Sequence, residues 1–380
     1  MRRGQSRRER RAHDVAVYAP WGAMFYGPDR DYMGGAEVQT TMLAHALKDR
    51  GLRVAHVVYP VKDPRRVDAS SPTLVERSPW QGHGPRGQLD ETAAIWRGLH
   101  RADAHAYIVR GGGGHLIAAS SFCRVLRRRL LFSSSSELDF DFARPDRSSR
   151  TLKVYRASLR LADDLVLQTR QQRELARRAF PDREPVVIPS FAEPAPGANG
   201  TGTGEYFLWA DQLVEYKLPD RYVELAEALP DARFRMVAAV NNETPDGMAE
   251  RIEAAAERLP NLELLPPRPR RQLLEEMQRA VAVVKTSRIE GMPNAFLEAW
   301  ARGVPVLSLN VDPDAKIEDN RIGVAAGGSM ERLTAAAATL WGDPGQRRAI
   351  GERAIRFIED VHSPDAVADR WVALLEGRPQ

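Results

Sequence analysis

The sequence predicts an α/β protein made of two Rossmann-like, doubly wound domains. Three observations predict it. Short apolar runs alternate with stretches of helical spacing, a pattern that implies parallel sheets covered on both faces. The alternation passes along the chain twice. A Pro/Gly/Ala/Thr stretch at 191–204, FAEPAPGANGTGTG, separates the two passes. The length of 380 residues agrees, because a single core of that size is unusual. The expected organisation is a disordered basic tail over 1–12, a first domain over 13–190, a linker over 191–204, a second domain over 205–362 and a terminal helix over 363–380. Two such domains would face each other across a cleft at the carboxyl ends of their strands, with the last helix crossing back to the first domain.

In the first pass, Asp14–Pro20 is a short, branched, apolar run and reads as a buried strand. A long loop ends at Gly34 and Gly35. Val38, Met42, Leu43, Ala46 and Leu47 then recur at helical spacing until Gly51. Further strands are predicted at 53–59, 104–109, 130–134, 164–168 and 186–189, with helices over 116–128 and 170–179. Residues 63–98 are rich in Pro, Gly and Ser and are assigned to no element. In the second pass, strands are predicted at 206–210, 234–240, 262–265, 281–285 and 305–309. Helices are predicted over 219–229, 247–258, 270–278, 294–302 and 330–340. Pro219 suits a helix start, where its missing N–H costs nothing. The closing stretch 364–375 places Val367, Trp371 and Leu374 on one side of an amphipathic helix.

Composition excludes several classes. A chain 43% hydrophobic and 28% charged is globular rather than disordered. The single cysteine, Cys123, allows neither an intrachain disulfide nor a cysteine-rich zinc site. No apolar run reaches the roughly 18–20 residues that span a bilayer. The Arg-rich start lacks the apolar centre of a secretory signal. A cytoplasmic location is expected. No His/Asp/Glu group has metal-site spacing, so no metal or other cofactor is expected. Residues 1–200 carry 33 Lys and Arg against 22 Asp and Glu, a balance of +11, and the remainder carries −7, giving the chain its +4. A basic half can meet nucleic acid, an anionic membrane or an anionic ligand. No element interleaves aromatic with basic residues, which argues against nucleic acid. Arginine outnumbers lysine 49 to 6, so compositional bias competes with any functional reading of the charge.

The most informative stretch is Val281–Leu309, VAVVKTSRIEGMPNAFLEAWARGVPVLSL. A strand is followed by a polar loop with Arg288, Glu290, Gly291, Met292 and Pro293, then by a helix starting near Asn294 and Ala295 and carrying Glu298. Asn294 is a good N-cap type. Loop amides and first-turn amides at the carboxyl end of a strand suit a phosphate or diphosphate. Two carboxylates, Glu290 and Glu298, flank that anion site. They cannot bind the anion, but they can accept hydrogen bonds from sugar hydroxyls. A phosphate between two polyols describes a nucleotide sugar.

This stretch resembles the Glu-x7-Glu motif of retaining glycosyltransferases of family 4, which have the GT-B fold. The carrying string is Glu290-Gly291-Met292-Pro293-Asn294, then Leu297-Glu298-Ala299 and Gly303-Val304-Pro305-Val306. Gly34-Gly35-Ala36-Glu37 resembles a loop of that family's first domain. Tyr216-Lys217-Leu218-Pro219-Asp220 resembles the opening of its second domain, and Leu161–Leu175 the segment closing the first. The resemblance implies that Glu290 contacts the donor sugar and Glu298 the ribose, and that Lys217 holds the diphosphate. It implies same-face, metal-independent transfer of a sugar to a hydroxyl. The implied acceptor is a saccharide or lipid-linked glycan of polysaccharide biosynthesis, with peripheral contact at the inner face of a membrane. One departure stands out. The family's Gly-Arg before that lysine is Asp211-Gln212 here, so an expected cation is missing and an acid is added. Lys285, Arg288 and Arg110 are the nearby cations that could compensate. The same departure motivates the alternative of an inactive binding or regulatory subunit. Gly34, Gly35, Arg110 and His115 are assigned to an acceptor or phosphate loop, although Arg110–His115 lacks the Gly-Lys-Ser/Thr ending of a true phosphate loop. Trp21, Phe25, Tyr26 and Tyr32 either stack on an acceptor or pack their own loop.

Overall fold

A computed structural model describes residues 11–26, 35–79, 82, 84–142, 149–193, 195 and 204–377. Gly34, Tyr32, most of the basic tail and most of the stretch at 191–204 lie outside the described residues. The chain divides into two units, one running up to Phe191 and resuming at Pro364, the other spanning Ala192–Ser363.

Each unit is organised by one parallel sheet. The first contains β1 (His13–Tyr18), β2 (Val54–Val58), β3 (Thr73–Glu76), β4 (Ala104–Arg110), β5 (Arg129–Ser133), β6 (Asp164–Leu167) and β7 (Val186–Val187), in the order β3-β2-β1-β4-β5-β6-β7. The second contains β8 (Tyr206–Gln212), β9 (Phe234–Ala239), β10 (Leu262–Leu265), β11 (Ala280–Lys285), β12 (Val306–Ser308) and β13 (Gly323–Ala325), in the order β10-β9-β8-β11-β12-β13. These are the Rossmann-like sheets the sequence predicts. Each sheet is wound outward from its first strand and then restarted on that strand's other side. The restart lies between β1 and β4 in one unit and between β8 and β11 in the other. A doubly wound sheet opens its ligand crevice there, beyond the carboxyl ends of the two strands.

Alternation along each strand feeds two cores. In β1, Val15 and Val17 pack with Leu43 and Leu47, whereas Ala16 and Tyr18 pack with Leu116 and Phe122 on the opposite face. In β8, Phe207 and Trp209 face Tyr222, while Tyr206 and Leu208 face Phe296 and Trp300. The predicted elements mostly recur within a few residues. The unassigned stretch 63–98 holds β3 and the start of a helix, Gly84–Ala102. Its opening Gly84-Pro85-Arg86-Gly87 disguises it, and its inward positions Ile95 and Leu99 lie further along. Helices Ser149–Leu161 and Pro344–Phe357 and strand β13 were not expected from the sequence.

The last helix, Pro364–Glu376, belongs to the first unit. Val367, Trp371, Leu374 and Leu375 join Leu43, Leu47 and Phe191 in one core. Arg50 pairs with Asp365 at 2.8 Å and Asp369 at 2.7 Å. Arg129 donates to the carbonyls of Leu374 and Leu375, 3.0 Å each, satisfying the helix's open carboxyl end.

Gly323 is forced by the close approach of a neighbouring strand. A Cβ on Gly323 would lie 2.1 Å from the carbonyl oxygen of Val306 in the adjacent strand. Backbone in a paired strand cannot move aside cheaply. Gly323→Ala is therefore expected to lower stability by about 1–3 kcal/mol, read as a shifted midpoint in denaturant unfolding. An unshifted midpoint would show that β12 and β13 separate without cost.

Candidate active site

The crevice of the second unit collects four ionised side chains. Asp211 is the next-to-last residue of β8, Lys285 ends β11, Lys217 sits in a 3-10 turn at Glu215–Lys217, and Glu290 stands in the loop after β11. Lys217 Nζ is 2.5 Å from Glu290 Oε1 and 3.2 Å from Asp211 Oδ2. Lys285 Nζ donates to Asp211 Oδ2 and lies 3.3 Å from Glu290 Oε1. Two cations thus share the same two carboxylate oxygens, and the cluster is neutral. Lys217 and Lys285 are 7% and 6% exposed, so this is an interior arrangement. Burial alone would raise the Glu290 carboxyl, but Lys285 and Lys217 overcome it and hold its pKa at about 2. Burial likewise opposes the charge on Lys285, and Asp211 with Glu290 reverses this and raises its pKa above the ordinary value.

Local structure fixes the cluster. Leu218 adopts a left-handed conformation (φ 52°) that turns the chain from the Lys217 loop into helix Pro219–Ala228. The buried Thr286 hydroxyl donates to the Lys217 carbonyl at 2.6 Å and itself accepts from Trp209 Nε1 at 3.0 Å. The amide of Arg288 donates to the Tyr216 carbonyl at 2.8 Å. These bonds tie the backbone carbonyls of the Lys217 turn to Thr286 and Arg288 in the loop that leads to Glu290, so the lysine and glutamate are set before any ligand arrives.

Helix Asn294–Ala301 follows the loop. The structure corrects its expected cap: Pro293 is the N-cap, with no side-chain hydrogen bond to the first turn, and Asn294 is the first helical residue. Gly291, Met292 and Pro293 are buried, and Asn294 and Ala295 half-buried, at this helix start. Glu298 lies one turn in. Arg270 Nη2 donates to it at 2.8 Å, and Arg302 donates to its carbonyl at 2.9 Å. Glu298 is therefore apart from the lysine cluster and already paired. Two expected donor contacts sit outside the cluster: Gln212 and Arg288 both have exposed side chains. The sequence named Lys285 only as a nearby cation. Its direct partner Asp211 is 74 residues away, a pairing set by the adjacency of β8 and β11.

The first unit has a cavity of about 250 Å³ at its own crevice, lined by Tyr18, Trp21, Glu37, Glu91, Arg110 and His115 among others. Arg110 donates to Ser133 Oγ at 3.2 Å, and among the described residues its buried Nε has no partner. Burial pushes the pKa of Arg110 down to about 10 and also lowers that of His115, whose Nε2 lies 3.2 Å from the Gly111 carbonyl oxygen. Gly35 opens the helix Gly35–Asp49, which brings Glu37 to the cavity. Of the loop aromatics, Trp21 lines the cavity, while Tyr26 is buried against His56, its hydroxyl 2.6 Å from Nδ1. Among the described residues no group of His, Cys, Asp and Glu is placed to hold a metal ion, and no helix is long and apolar enough to cross a membrane.

Two doubly wound units in one chain, each with its crevice at the sheet's restart, define the GT-B architecture. The chain matches the family described as glycosyl transferase 4-like domain over residues 34–190 and the family described as glycosyl transferases group 1 over residues 195–357. It belongs to the GT-B glycosyltransferases. A search of curated proteins finds no match. Among solved structures it is similar to sucrose-phosphate synthase from Thermosynechococcus elongatus (TM-score 0.74, 16% identity, 96% of this chain and 98% of that one). It is also similar to Anabaena HepE in complex with UDP-glucose (TM-score 0.71, 16% identity, 96% and 100%). A third is WaaG, a glycosyltransferase involved in lipopolysaccharide biosynthesis (TM-score 0.67, 18% identity, 96% and 100%).

Proposed function

We propose that the protein transfers a sugar from a nucleotide-sugar donor to an acceptor hydroxyl with retention at the anomeric carbon and without a metal. The observation that carries this reading is the buried Lys217–Glu290 pair beside the start of the helix Asn294–Ala301, whose N-cap is Pro293. Lys217 and the first-turn amides receive the diphosphate. Both lysines engage Oε1 of Glu290, so its other oxygen can accept from a donor-sugar hydroxyl without breaking either pair. Glu298 receives the ribose, sharing its carboxylate with Arg270. The acceptor oxygen bonds to the anomeric carbon as the bond from that carbon to the phosphate oxygen breaks. The acceptor proton passes to the departing phosphate oxygen, so no side-chain nucleophile is needed. The protein's contribution is positioning and fixed charge.

The cavity of the first unit suits an acceptor sugar, with Trp21 offering a ring face and Arg110 and Glu37 polar contacts. The HepE structure in complex with UDP-glucose supports a nucleotide-sugar donor. A saccharide or lipid-linked acceptor at the cytoplasmic face of a membrane fits the basic balance of the first 200 residues. The rival reading, a binding subunit without turnover, rests on Gln212 standing where the family has arginine.

Calorimetry with UDP-, GDP- and ADP-sugars, followed by assay of transfer and hydrolysis, tests both. At least one donor is expected to bind and to turn over. Binding without turnover would establish the rival, and no binding of any donor at millimolar concentration would sink both.

A further inference from the structure

We propose that Lys285 is the second cation of the diphosphate site, occupying in space the role that residue 212 leaves empty in sequence, and that Asp211 is the residue that positions it. This deepens the donor reading above and rests on it.

The argument starts from place. Asp211, next to last in β8, and Lys285, last in β11, stand on neighbouring strands on either side of the sheet's restart, where a doubly wound sheet receives its ligand. A lysine at the end of a central strand is costly there, since the rest of β11 is wholly apolar and buried. It is tolerated because Asp211 and Glu290 both face it. Asp211 is tolerated for the same reason. Read alone, an acid beside a diphosphate repels it; read with Lys285, it belongs to an ion pair. The residue pair 211 and 285 therefore adds no net charge to the site, but it adds an ammonium.

Hydrogen-bond capacity points the same way. Each ammonium has three N–H donors. Lys285 faces two carboxylate oxygens, and so does Lys217. Among the described residues, one donor on each lysine remains for a ligand. Two donors on adjacent, buried ammonium groups match a leaving diphosphate, whose charge grows as the glycosidic bond breaks. Gln212, exposed at the end of β8, has no charge to offer, and the Arg288 side chain is also exposed.

The rival account is that Lys285 only neutralises Asp211. Removing both separates the two accounts, because one cation and one anion leave together and the cluster stays neutral. UDP, GDP and ADP, with the matching monophosphates, are titrated into wild type, Lys285→Met and Lys285→Met/Asp211→Asn. If wild type holds no nucleoside diphosphate, the donor reading fails and this inference with it. If it holds one, the double variant is expected to bind that diphosphate about tenfold or more weakly and the monophosphate nearly unchanged, as loss of one charged hydrogen bond implies. A loss of less than about threefold for the diphosphate would overturn the inference alone and leave Lys285 as a counterion. Should circular dichroism show the double variant unfolded, Gln212→Arg in the otherwise unchanged protein decides. A gain below about threefold means the place is filled, and a larger gain means it is vacant and overturns the inference.

Discussion

Glu290→Gln is expected to reduce sugar transfer by about a hundredfold to a thousandfold while nucleoside diphosphate binding holds or tightens. The two effects have opposite sign because the carboxylate serves the sugar and opposes the phosphate. Its removal takes one negative charge from a neutral cluster of Lys217, Lys285, Asp211 and Glu290. Both ammoniums stay, and the site becomes cationic. Glutamine keeps the side-chain volume and an acceptor oxygen, so the loop keeps its shape. A titration of the variant with UDP, GDP and ADP beside a transfer assay reads both quantities. Unchanged transfer would remove Glu290 from the site. The substitution also carries a pH signature. The folded carboxyl titrates near 2, below its ordinary 4.5, so its ionised form stabilises the fold above about pH 4.5. That contribution is lost as pH falls towards 2. The difference in Tm between wild type and variant is expected to be flat from about pH 5 to 8 and to shrink below that.

Lys217→Met is expected to act in the opposite direction on binding. The cluster becomes anionic, and diphosphate affinity should fall about tenfold, with kcat/KM falling about a thousandfold. The excess of the kinetic loss over the binding loss is the informative part. A charge that matters most when the phosphate departs shows more in the transition state than in the bound product. The turn that carries Lys217 is held by Thr286 and Arg288 through backbone groups, so the variant should keep its fold. Equal losses in the two quantities would make Lys217 a binding residue only. Undiminished affinity would exclude it from the diphosphate site.

The donor loop was legible in sequence because its parts are contiguous. Strand, loop glutamate, Pro293 and helix all fall within one stretch of chain. The doubly wound architecture was legible for a similar reason, as strand–helix alternation is local. What escaped was contact between distant strands. Asp211 reads in sequence as an added negative charge against the phosphate, yet in the fold it is neutralised by Lys285. No local spacing encodes a partnership across 74 residues. Glu298 reads as a free acceptor, yet Arg270 reaches it from a different helix. The helix Ser149–Leu161 had a readable face, since Leu152, Tyr155 and Leu159 are buried at helical spacing. Lys153 and Arg156, set between them, obscured it. Asn294 shows a limit of another kind: a good cap residue type stands one place inside the helix because Pro293 takes the capping position.

The terminal helix has a consequence for how the protein is made. Its Val367, Trp371, Leu374 and Leu375 complete a core whose other members, including Leu43, Leu47 and Phe191, are synthesised far earlier. On the ribosome, the first unit reaches Phe191 and must then wait for about 185 further residues before Pro364–Glu376 arrives. At about 5–20 residues per second the wait is roughly 10–40 seconds. The second unit, Ala192–Ser363, is one unbroken run and has no such delay. The unit translated first is therefore the one completed last. Until the final helix arrives, Leu43, Leu47 and Phe191 lack the apolar partners it supplies.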